Sequence, residues 1–340
     1  MGAVGAVDDL EAAVRAVVHE HGFSGVVRVD LEGRTVHASA HGLADRAHGL
    51  PNALGTQFGT ASVCKGLTAL TVVSLVADGW LALDTPVREV VGDDVPDVGV
   101  DVTIEHLLSH RSGIGDYFDE DAGLDASAYV MTLPLHQFAT TEGYLPALRG
   151  LPAKFPAGER FSYCNSGYVV LARVVERVTG TGFHEAVADR VCARAGMGDT
   201  AYLRSDELPA RAALGYLDAD GLRTNVLHLP VRGSGDGGIY TTVADLHALW
   251  DAFLGGRIVD EPWVVEMLRA RTGVMDDGRR YGLGFWLDGA GDGVVLNGYD
   301  AGVSAVTRHE PGRALTWSVL ANRSDVAWPV AHRLREVLAG

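Results

Sequence analysis

One stretch decides the fold of this 340-residue chain: Gly59-Thr60-Ala61-Ser62-Val63-Cys64-Lys65-Gly66-Leu67-Thr68. The apolar residues that follow have helical spacing and contain no proline, so Ser62 is expected at or just before the start of a buried helix. Residues three apart share one face of a helix. We therefore expect the Lys65 amine to lie beside the Ser62 hydroxyl.

This spacing suits nucleophilic catalysis. A serine hydroxyl is a poor nucleophile until a neighbouring base takes its proton, and an uncharged lysine amine can be that base. The N–H groups and the positive dipole at a helix start would stabilise an oxyanion on a substrate carbonyl. The alternative is a chance Ser-x-x-Lys pattern with a surface lysine, because such short patterns are common.

The lysine content favours a specific role for Lys65. Lys and Arg together number 28, yet the only lysines are Lys65 and Lys154. A guanidinium does not lose its proton and cannot serve as a base. A lysine kept in an arginine-rich chain, three residues after a serine, indicates a role that arginine cannot fill.

Bulk composition excludes several classes of partner. The net charge is -16 without a basic run, which argues against nucleic acid and anionic membrane as partners. The first residues lack a cationic segment before an apolar core, and no segment is long and apolar enough to span a bilayer. These features predict a cytoplasmic protein. Nothing in the sequence gives its oligomeric state.

The cysteines and histidines do not indicate a disulfide framework or a metal site. Cys64, Cys164 and Cys192 are an odd number without close pairs, which fits a reducing compartment. Cys64 is an alternative nucleophile, but at two residues from Ser62 it points away across the helix and suits a small core position. His106 and His110 have the i, i+4 spacing of a metal pair, without the glutamate of the zinc-protease pattern. No metal or organic cofactor is expected.

A second polar cluster, Tyr163-Cys164-Asn165, precedes an apolar run that reads as a buried helix to Gly180. A phenol beside a lysine could share the serine proton, and an asparagine amide can donate to a substrate carbonyl and accept from an ammonium. The alternative is a turn in which Asn165 or Ser166 caps the helix. The two roles are compatible.

The order of elements predicts an α+β fold. A hairpin at 25–30 and 35–40 precedes many helices, and strands at 281–287, 293–297, 304–308 and 314–320 precede a terminal helix at 328–338. Short connections imply an antiparallel sheet, which the first hairpin would join. We expect one domain, 8–338, with an α/β lobe at about 8–60 plus 270–338 and a mostly helical lobe at about 61–269.

Together these motifs resemble the serine β-lactamase and penicillin-binding-protein superfamily, in the branch of class C β-lactamases, D-alanyl-D-alanine carboxypeptidases, D-aminopeptidases and β-lactamase-like carboxylesterases. Ser62-x-x-Lys65 matches its first motif and Tyr163-x-Asn165 its second. The flanking stretches that also fit are 106–113, 155–158, 237–246 and 281–286.

The resemblance implies a role for each motif residue. Ser62 would be the acylated nucleophile, Lys65 and Tyr163 the pair that handles its proton, and Asn165 the residue that positions the substrate. The oxyanion hole would combine the Ser62 N–H with an N–H on the strand of the third motif. The fold implied is the antiparallel sheet with flanking helices expected above.

The third motif departs from the family pattern of Lys-Thr-Gly or His-x-Gly. At the corresponding place the chain has Gly298-Tyr299-Asp300-Ala301-Gly302, with Tyr299 in the place of the cation and Ala301 in that of the small glycine. Gly302 is then the candidate for the second oxyanion N–H. A phenol is only a neutral donor, and Asp300 would repel a substrate carboxylate. The alternative is that Tyr299 is only a strand aromatic.

The function expected is that of a serine hydrolase, working through an acyl-serine on small esters or amides without an essential carboxylate, as carboxylesterases of this family do. Three alternatives stay open. One is a D-aminopeptidase, carboxypeptidase or β-lactamase, another is an acyltransferase, and the third is a non-catalytic binding protein on the same scaffold.

Overall fold

The computed structural model describes residues 3–123 and 128–339. Its strands are β1 (Gly25–Leu31), β2 (Arg34–His41), β3 (Leu43–Asp45), β4 (Leu50–Pro51), β5 (Phe58–Gly59), β6 (Tyr240–Thr241), β7 (Arg279–Tyr281), β8 (Trp286–Asp288), β9 (Val294–Asp300), β10 (Val303–Glu310) and β11 (Leu315–Ala321). Seven of them form one antiparallel sheet in the order β2-β1-β11-β10-β9-β8-β7. The pairs β3-β4 and β5-β6 stand apart from it.

The first hairpin joins the C-terminal strands, as the sequence predicts. Strand β1 pairs with β11 in the register Val26 to Leu320 and Val27 to Val319. Neighbouring side chains of a strand point to opposite faces of the sheet, so these two pairs are buried in different hydrophobic cores, one on each face. The α+β class with an antiparallel sheet is therefore confirmed.

The helices are α1 (Ala3–His21), α2 (Cys64–Ala77), α3 (Val87–Val91), α4 (Ile104–Leu108), α5 (Thr141–Tyr144), α6 (Asn165–Thr179), α7 (Phe183–Val187), α8 (Ala193–Ala195), α9 (Val243–Leu254), α10 (Glu261–Leu268) and α11 (Ala327–Leu338). A π-helical turn, Ala188–Cys192, connects α7 to α8. The chain from 183 to 195 is thus continuously helical but changes its winding.

The sheet lies between two hydrophobic cores. On one face, α1 and α11 pack against residues such as Val27 and Trp317. On the other face, α2, α6 and α9 share a larger core with Val26 and Leu296. Burying apolar area on both faces is the main stabilising term of such a layered fold.

Helix α2 is the centre of the larger core. Every residue from Cys64 to Val76 is buried, which is the behaviour of a helix that is apolar all round. Gly66 lets β9 approach it closely, since a Cβ there would stand 2.6 Å from the Leu296 side chain. The start of α2 is consequently held against the middle strands of the sheet.

One predicted strand is wrong in detail. The segment 281–287 is not continuous but forms the end of β7, a turn and the start of β8. The turn is closed by a hydrogen bond from Gly282 N–H to Phe285 O (2.9 Å), and Gly284 has φ 89°, which glycine adopts readily. Alternating glycine and apolar residues resembled a strand pattern and concealed this turn.

Candidate active site

Ser62 and Lys65 are in contact at the start of the central helix. Ser62 lies in a single 3₁₀ turn, Ala61–Val63, that leads into α2. The Lys65 Nζ is 2.9 Å from the Ser62 Oγ, and the lysine is only 2% exposed. Ala61 has φ 46°, a left-handed backbone that a residue with a Cβ rarely adopts and that often marks functional sites. The predicted pairing of hydroxyl and amine is present.

The amine has two further partners. Lys65 Nζ donates to Asn165 Oδ1 at 2.8 Å and to the backbone oxygen of Asp236 at 2.6 Å. An uncharged amine has two N–H bonds and one lone pair, so these two acceptors leave the lone pair for the Ser62 hydroxyl. An ammonium would instead donate to all three. The three contacts therefore suit both the uncharged amine and the ammonium. A base that takes a proton and later returns it passes through both of these states.

The orientation of Asn165 is fixed from several sides. It begins helix α6, and its backbone N–H donates to Asp116 Oδ2 at 2.8 Å. Its Nδ2 donates to Phe118 O at 2.8 Å and to Glu120 Oε1 at 3.2 Å. Asp116 also accepts from Ser166 N–H, so a carboxylate distant in sequence caps this helix. Burial raises the pKa of Asp116 to about 6.

The ring of Tyr163 lies over the Lys65 amine. Lys65 Nζ is 4.8 Å from the centre of its ring, and Trp286 is parallel to the ring at 6.1 Å. Burial raises the pKa of Tyr163 well above its ordinary value, and the negative charge of Glu120 raises it further, against the lowering effect of a hydrogen bond with Ser62. The group is therefore a proton donor at neutral pH and not a phenolate base.

The small glycine of the third motif lies three residues earlier on β9 than the sequence suggested. A Cβ on residue 298 would stand 2.0 Å from Thr60 O and 2.8 Å from Ser62 N, so Gly298, and not Ala301, is the small residue beside Ser62. Contacts that close exclude any other side chain. Tyr299 is 42% exposed at the cavity, and it is not in the place of the cation.

Gly302 is not available as an oxyanion donor. Its N–H donates to Ser324 Oγ at 2.8 Å, and its α-carbon packs against Gly215 and Tyr216. The residue closes the turn between β9 and β10 with φ 69°. The prediction for Gly302 is wrong because the motif was aligned by its last glycine, which is needed for the turn.

The cavity before Ser62 is acidic. It holds about 80 Å³, and its walls carry the side chains of Glu120, Asp236 and Asp300, while no arginine or lysine is among its lining residues in the described part of the chain. Burial raises the pKa of Asp300 to about 7, although the Ala301 N–H that it accepts at 2.8 Å acts in the opposite direction. A substrate carboxylate would meet this charge once Asp300 is ionised.

Sequence reasoning missed three supporting residues. Asp236 accepts from Lys65 through its backbone, and its carboxylate accepts from the Tyr117 hydroxyl at 2.5 Å. The sequence feature that could have indicated Asp236 is the presence of an acidic residue inside the glycine-rich run 235–238. Neither Tyr117 nor Asp116 belongs to any recognisable pattern, because each reaches the site only through the fold.

Cys64 is buried, and His106 and His110 each hold a backbone N–H. Burial raises the pKa of Cys64 to about 12, so it is a thiol and not a nucleophile. His106 Nδ1 accepts from Thr103 N–H, and His110 Nδ1 accepts from Cys164 N–H. Across residues 3–123 and 128–339, no group of three or more His, Cys, Asp or Glu could hold a metal ion.

In the same part of the chain, no helix has the length and apolar character needed to cross a membrane.

Comparison with known proteins identifies the family. A protein-family model described as Beta-lactamase matches residues 10–339. Esterase EstB of Burkholderia gladioli is 36% identical over 216 residues, which cover 62% of this chain and 54% of EstB. Penicillin-binding protein 4 of Amycolatopsis lactamdurans is 29% identical over 91% of this chain and 83% of that protein.

A solved structure supports the same assignment. The penicillin-binding protein from Bacillus halodurans superposes with a TM-score of 0.90 at 34% identity, covering 95% of this chain and 99% of that one. The chain spans only about half of the length of EstB, since 54% of the esterase is covered. Fold, motifs and family model agree, and the chain belongs to the β-lactamase family of serine hydrolases.

Proposed function

We propose that the chain hydrolyses small esters or amides through an acyl-serine intermediate on Ser62, with esters of neutral acids as its preferred substrates. The observation that carries the proposal is the 2.9 Å contact between Ser62 Oγ and Lys65 Nζ. A cavity of about 80 Å³ favours a small acyl group. Asp300, in a cavity wall without a cation, disfavours substrates that carry a carboxylate.

The first half-reaction forms the acyl-enzyme. The Ser62 oxygen attacks the substrate carbonyl while its proton passes to Lys65, whose other partners are Asn165 and Asp236. Tyr163 gives its proton to the leaving group and recovers one from Lys65, which returns the amine to its uncharged state. In the second half-reaction the same pair takes a proton from water, whose oxygen attacks the ester, and gives that proton to the departing Ser62 oxygen.

The oxyanion is assigned to the N–H groups of Ser62 and Tyr299. Asp300 pairs with Val303 across the two-residue turn between β9 and β10, so its peptide groups face β10. Peptide groups alternate along a strand, which directs the Tyr299 N–H to the opposite edge. Gly298 brings this edge of β9 against Ser62 N. Two such donors typically lower the barrier by several kcal/mol.

The acidic cavity supports a second candidate, an amidase or peptidase acting on acyl groups that bear an ammonium. Glu120 and Asp300 both line the cavity and could each attract such a group. A β-lactamase or carboxypeptidase is supported less, since both need a substrate carboxylate to be bound. Acyl transfer differs from hydrolysis only in that an alcohol or amine replaces water.

A substrate panel tests the proposal. Purified enzyme and its Ser62→Ala variant would be assayed with p-nitrophenyl acetate, an amino-acid p-nitroanilide of each hand and nitrocefin. We expect turnover of the acetate that Ser62→Ala abolishes. Preferential cleavage of an anilide would support the second candidate, and added alcohol that captures the acyl group would identify a transferase. A protein inert to every reagent would be a binding protein on this scaffold.

A further inference from the structure

His110 is a buried titratable side chain that the proposed mechanism does not use. It follows the C-terminal end of α4 and is 1% exposed. Its φ of 56° lies in the left-handed region, which is uncommon for residues other than glycine, although histidine is among those that adopt it more often. Strain of this kind is commonly found beside functional sites.

Two of the hydrogen bonds of His110 hold the two neighbours of Tyr163 in the chain. The His110 backbone oxygen accepts from Ser162 N–H at 2.9 Å. Its Nδ1 accepts from Cys164 N–H at 3.0 Å. One residue therefore fixes the backbone immediately before and immediately after the phenol that stands over Lys65.

The imidazole also contacts the phenol ring. The centres of the His110 and Tyr163 rings are 4.3 Å apart with an interplanar angle of 32°. The rings of Tyr168 and Tyr281 lie at 5.0 and 4.9 Å from the same imidazole. The position of Tyr163 is thus set by its backbone and by its ring at once.

The charge state of His110 follows from this arrangement. Because Nδ1 accepts a hydrogen bond, the proton of the neutral ring is on Nε2. Burial lowers the pKa of His110 well below its ordinary value, and the neighbouring Lys65 lowers it further. Nε2 has no hydrogen-bond partner among the described residues, which is a cost that a phenylalanine would avoid. The nitrogen that the site uses is therefore Nδ1.

We propose that His110 is a positioning residue, whose backbone oxygen and Nδ1 clamp the 162–164 segment and so hold the Tyr163 hydroxyl at Ser62 and Lys65. This inference rests on the proposed function, since it assigns Tyr163 a part in acylation. His110 itself does not touch the reacting atoms. Its effect on catalysis passes through Tyr163.

A double-mutant cycle separates this role from general structural damage. The rate at which a fluorophosphonate phosphonylates Ser62, with loss of fluoride, would be measured for wild type, His110→Ala, Tyr163→Phe and the double variant. We expect His110→Ala to slow this labelling by about 10- to 100-fold in the parent, as misplacement of a catalytic group does. In the Tyr163→Phe background the same substitution should change the rate less than about twofold, because the group it positions is gone.

A conservative variant adds an independent readout. Asparagine tolerates the left-handed backbone and carries an acceptor close to the position of Nδ1, so His110→Asn should recover most of the rate. If His110→Ala does not fold, as judged by circular dichroism, the cycle is run with His110→Gln and His110→Asn. Additive effects of His110 and Tyr163, or no recovery in His110→Asn, would overturn the clamp while leaving the proposed function intact. A wild type that is never labelled would overturn both.

Discussion

Lys65 lies beside the Ser62 hydroxyl, and its amine can lose a proton whereas the guanidinium of an arginine cannot. The amine contacts the Ser62 hydroxyl and has the Asn165 and Asp236 oxygens as its other partners. A base must both accept and release a proton, and the three contacts suit each state in turn. The second lysine, Lys154, pairs with Asp119 at 2.7 Å. It provides a matched control.

We expect Lys65→Arg to lower the rate of p-nitrophenyl acetate hydrolysis by at least about 100-fold, because a guanidinium keeps the charge but cannot take the serine proton. Lys154→Arg makes the same chemical change outside the site and should remain within about twofold of wild type. Steady-state kinetics on both variants measure the difference. Equal losses in the two variants would contradict the role given to Lys65.

Ionisation of Asp300 should make the preference for neutral over carboxylate-bearing substrates depend on pH. Its pKa is raised by burial to about 7, so the carboxylate becomes charged as pH rises through that value. The kcat/KM for the mono-p-nitrophenyl ester of succinic acid, relative to the neutral acetate, should therefore fall between pH 6 and 8. In Asp300→Asn the ratio should stay constant, whereas Asp9→Asn, exposed on α1, should behave as wild type.

Asp300 also makes the free energy of unfolding depend on pH. The folded protein binds the Asp300 proton more tightly than the unfolded chain, whose ordinary pKa is 3.8. The contribution of this group to the free energy of unfolding therefore decreases as pH rises from 3.8 to about 7, and is constant above. Urea denaturation of wild type and Asp300→Asn at pH 5 and 8 should show the variant gaining relative stability at the higher pH.

At the scale of elements, the contact between β9 and the start of α2 decides the geometry of the site. Gly66 on the helix and Gly298 on the strand each let the two backbones approach. The gap left by their missing side chains is filled by Leu296 and by the 3₁₀ turn that carries Ser62. This is why the third motif depends on Gly298.

We expect Gly298→Ala to slow fluorophosphonate labelling by about 100-fold or more, because its Cβ would stand 2.0 Å from Thr60 O and displace Ser62. Gly182→Ala, at a position with nothing within 4 Å, is the matched control and should label at the wild-type rate. Labelling is followed by intact mass. A fully reactive Gly298→Ala variant would refute the register given to the third motif.

Local patterns predicted most elements, and long-range packing explains the rest. Short spacing and helix starts are visible in sequence, and they are enough to select Ser62, Lys65, Tyr163 and Asn165 as candidates, which the structure brings together. Gly302 was misassigned because a turn glycine and a site glycine look alike without the pairing of β9 and β10. Asp116, Asp236 and His110 reach the site through contacts with residues at least 49 positions away in sequence, which no periodicity records.

At the scale of the whole molecule, the candidate site lies on one side of the sheet and a separate core lies on the other. Leu10 of α1 is 2% exposed and packs in that second core, with no part in the Ser62 cavity. The two cores share the strands between them. The division into two lobes at about residues 60 and 270 stays a prediction.

Leu10→Ala should lower the free energy of unfolding by about 2–5 kcal/mol while the folded variant keeps its acylation rate. The same substitution at Leu222, which is 61% exposed, should change stability by less than about 0.5 kcal/mol. Chemical denaturation monitored by tryptophan fluorescence measures both. A loss of acylation rate in folded Leu10→Ala would indicate that the two faces of the sheet are coupled.

The most direct test of the central claim is to locate the adduct that a fluorophosphonate forms with the native chain. The account predicts a single phosphonyl group on Ser62, found by peptide mass spectrometry, and no adduct on Cys64. Labelling should vanish in Ser62→Ala and be slowed at least about 100-fold in Lys65→Arg. An unlabelled wild type, or an adduct that persists in Ser62→Ala, would contradict it.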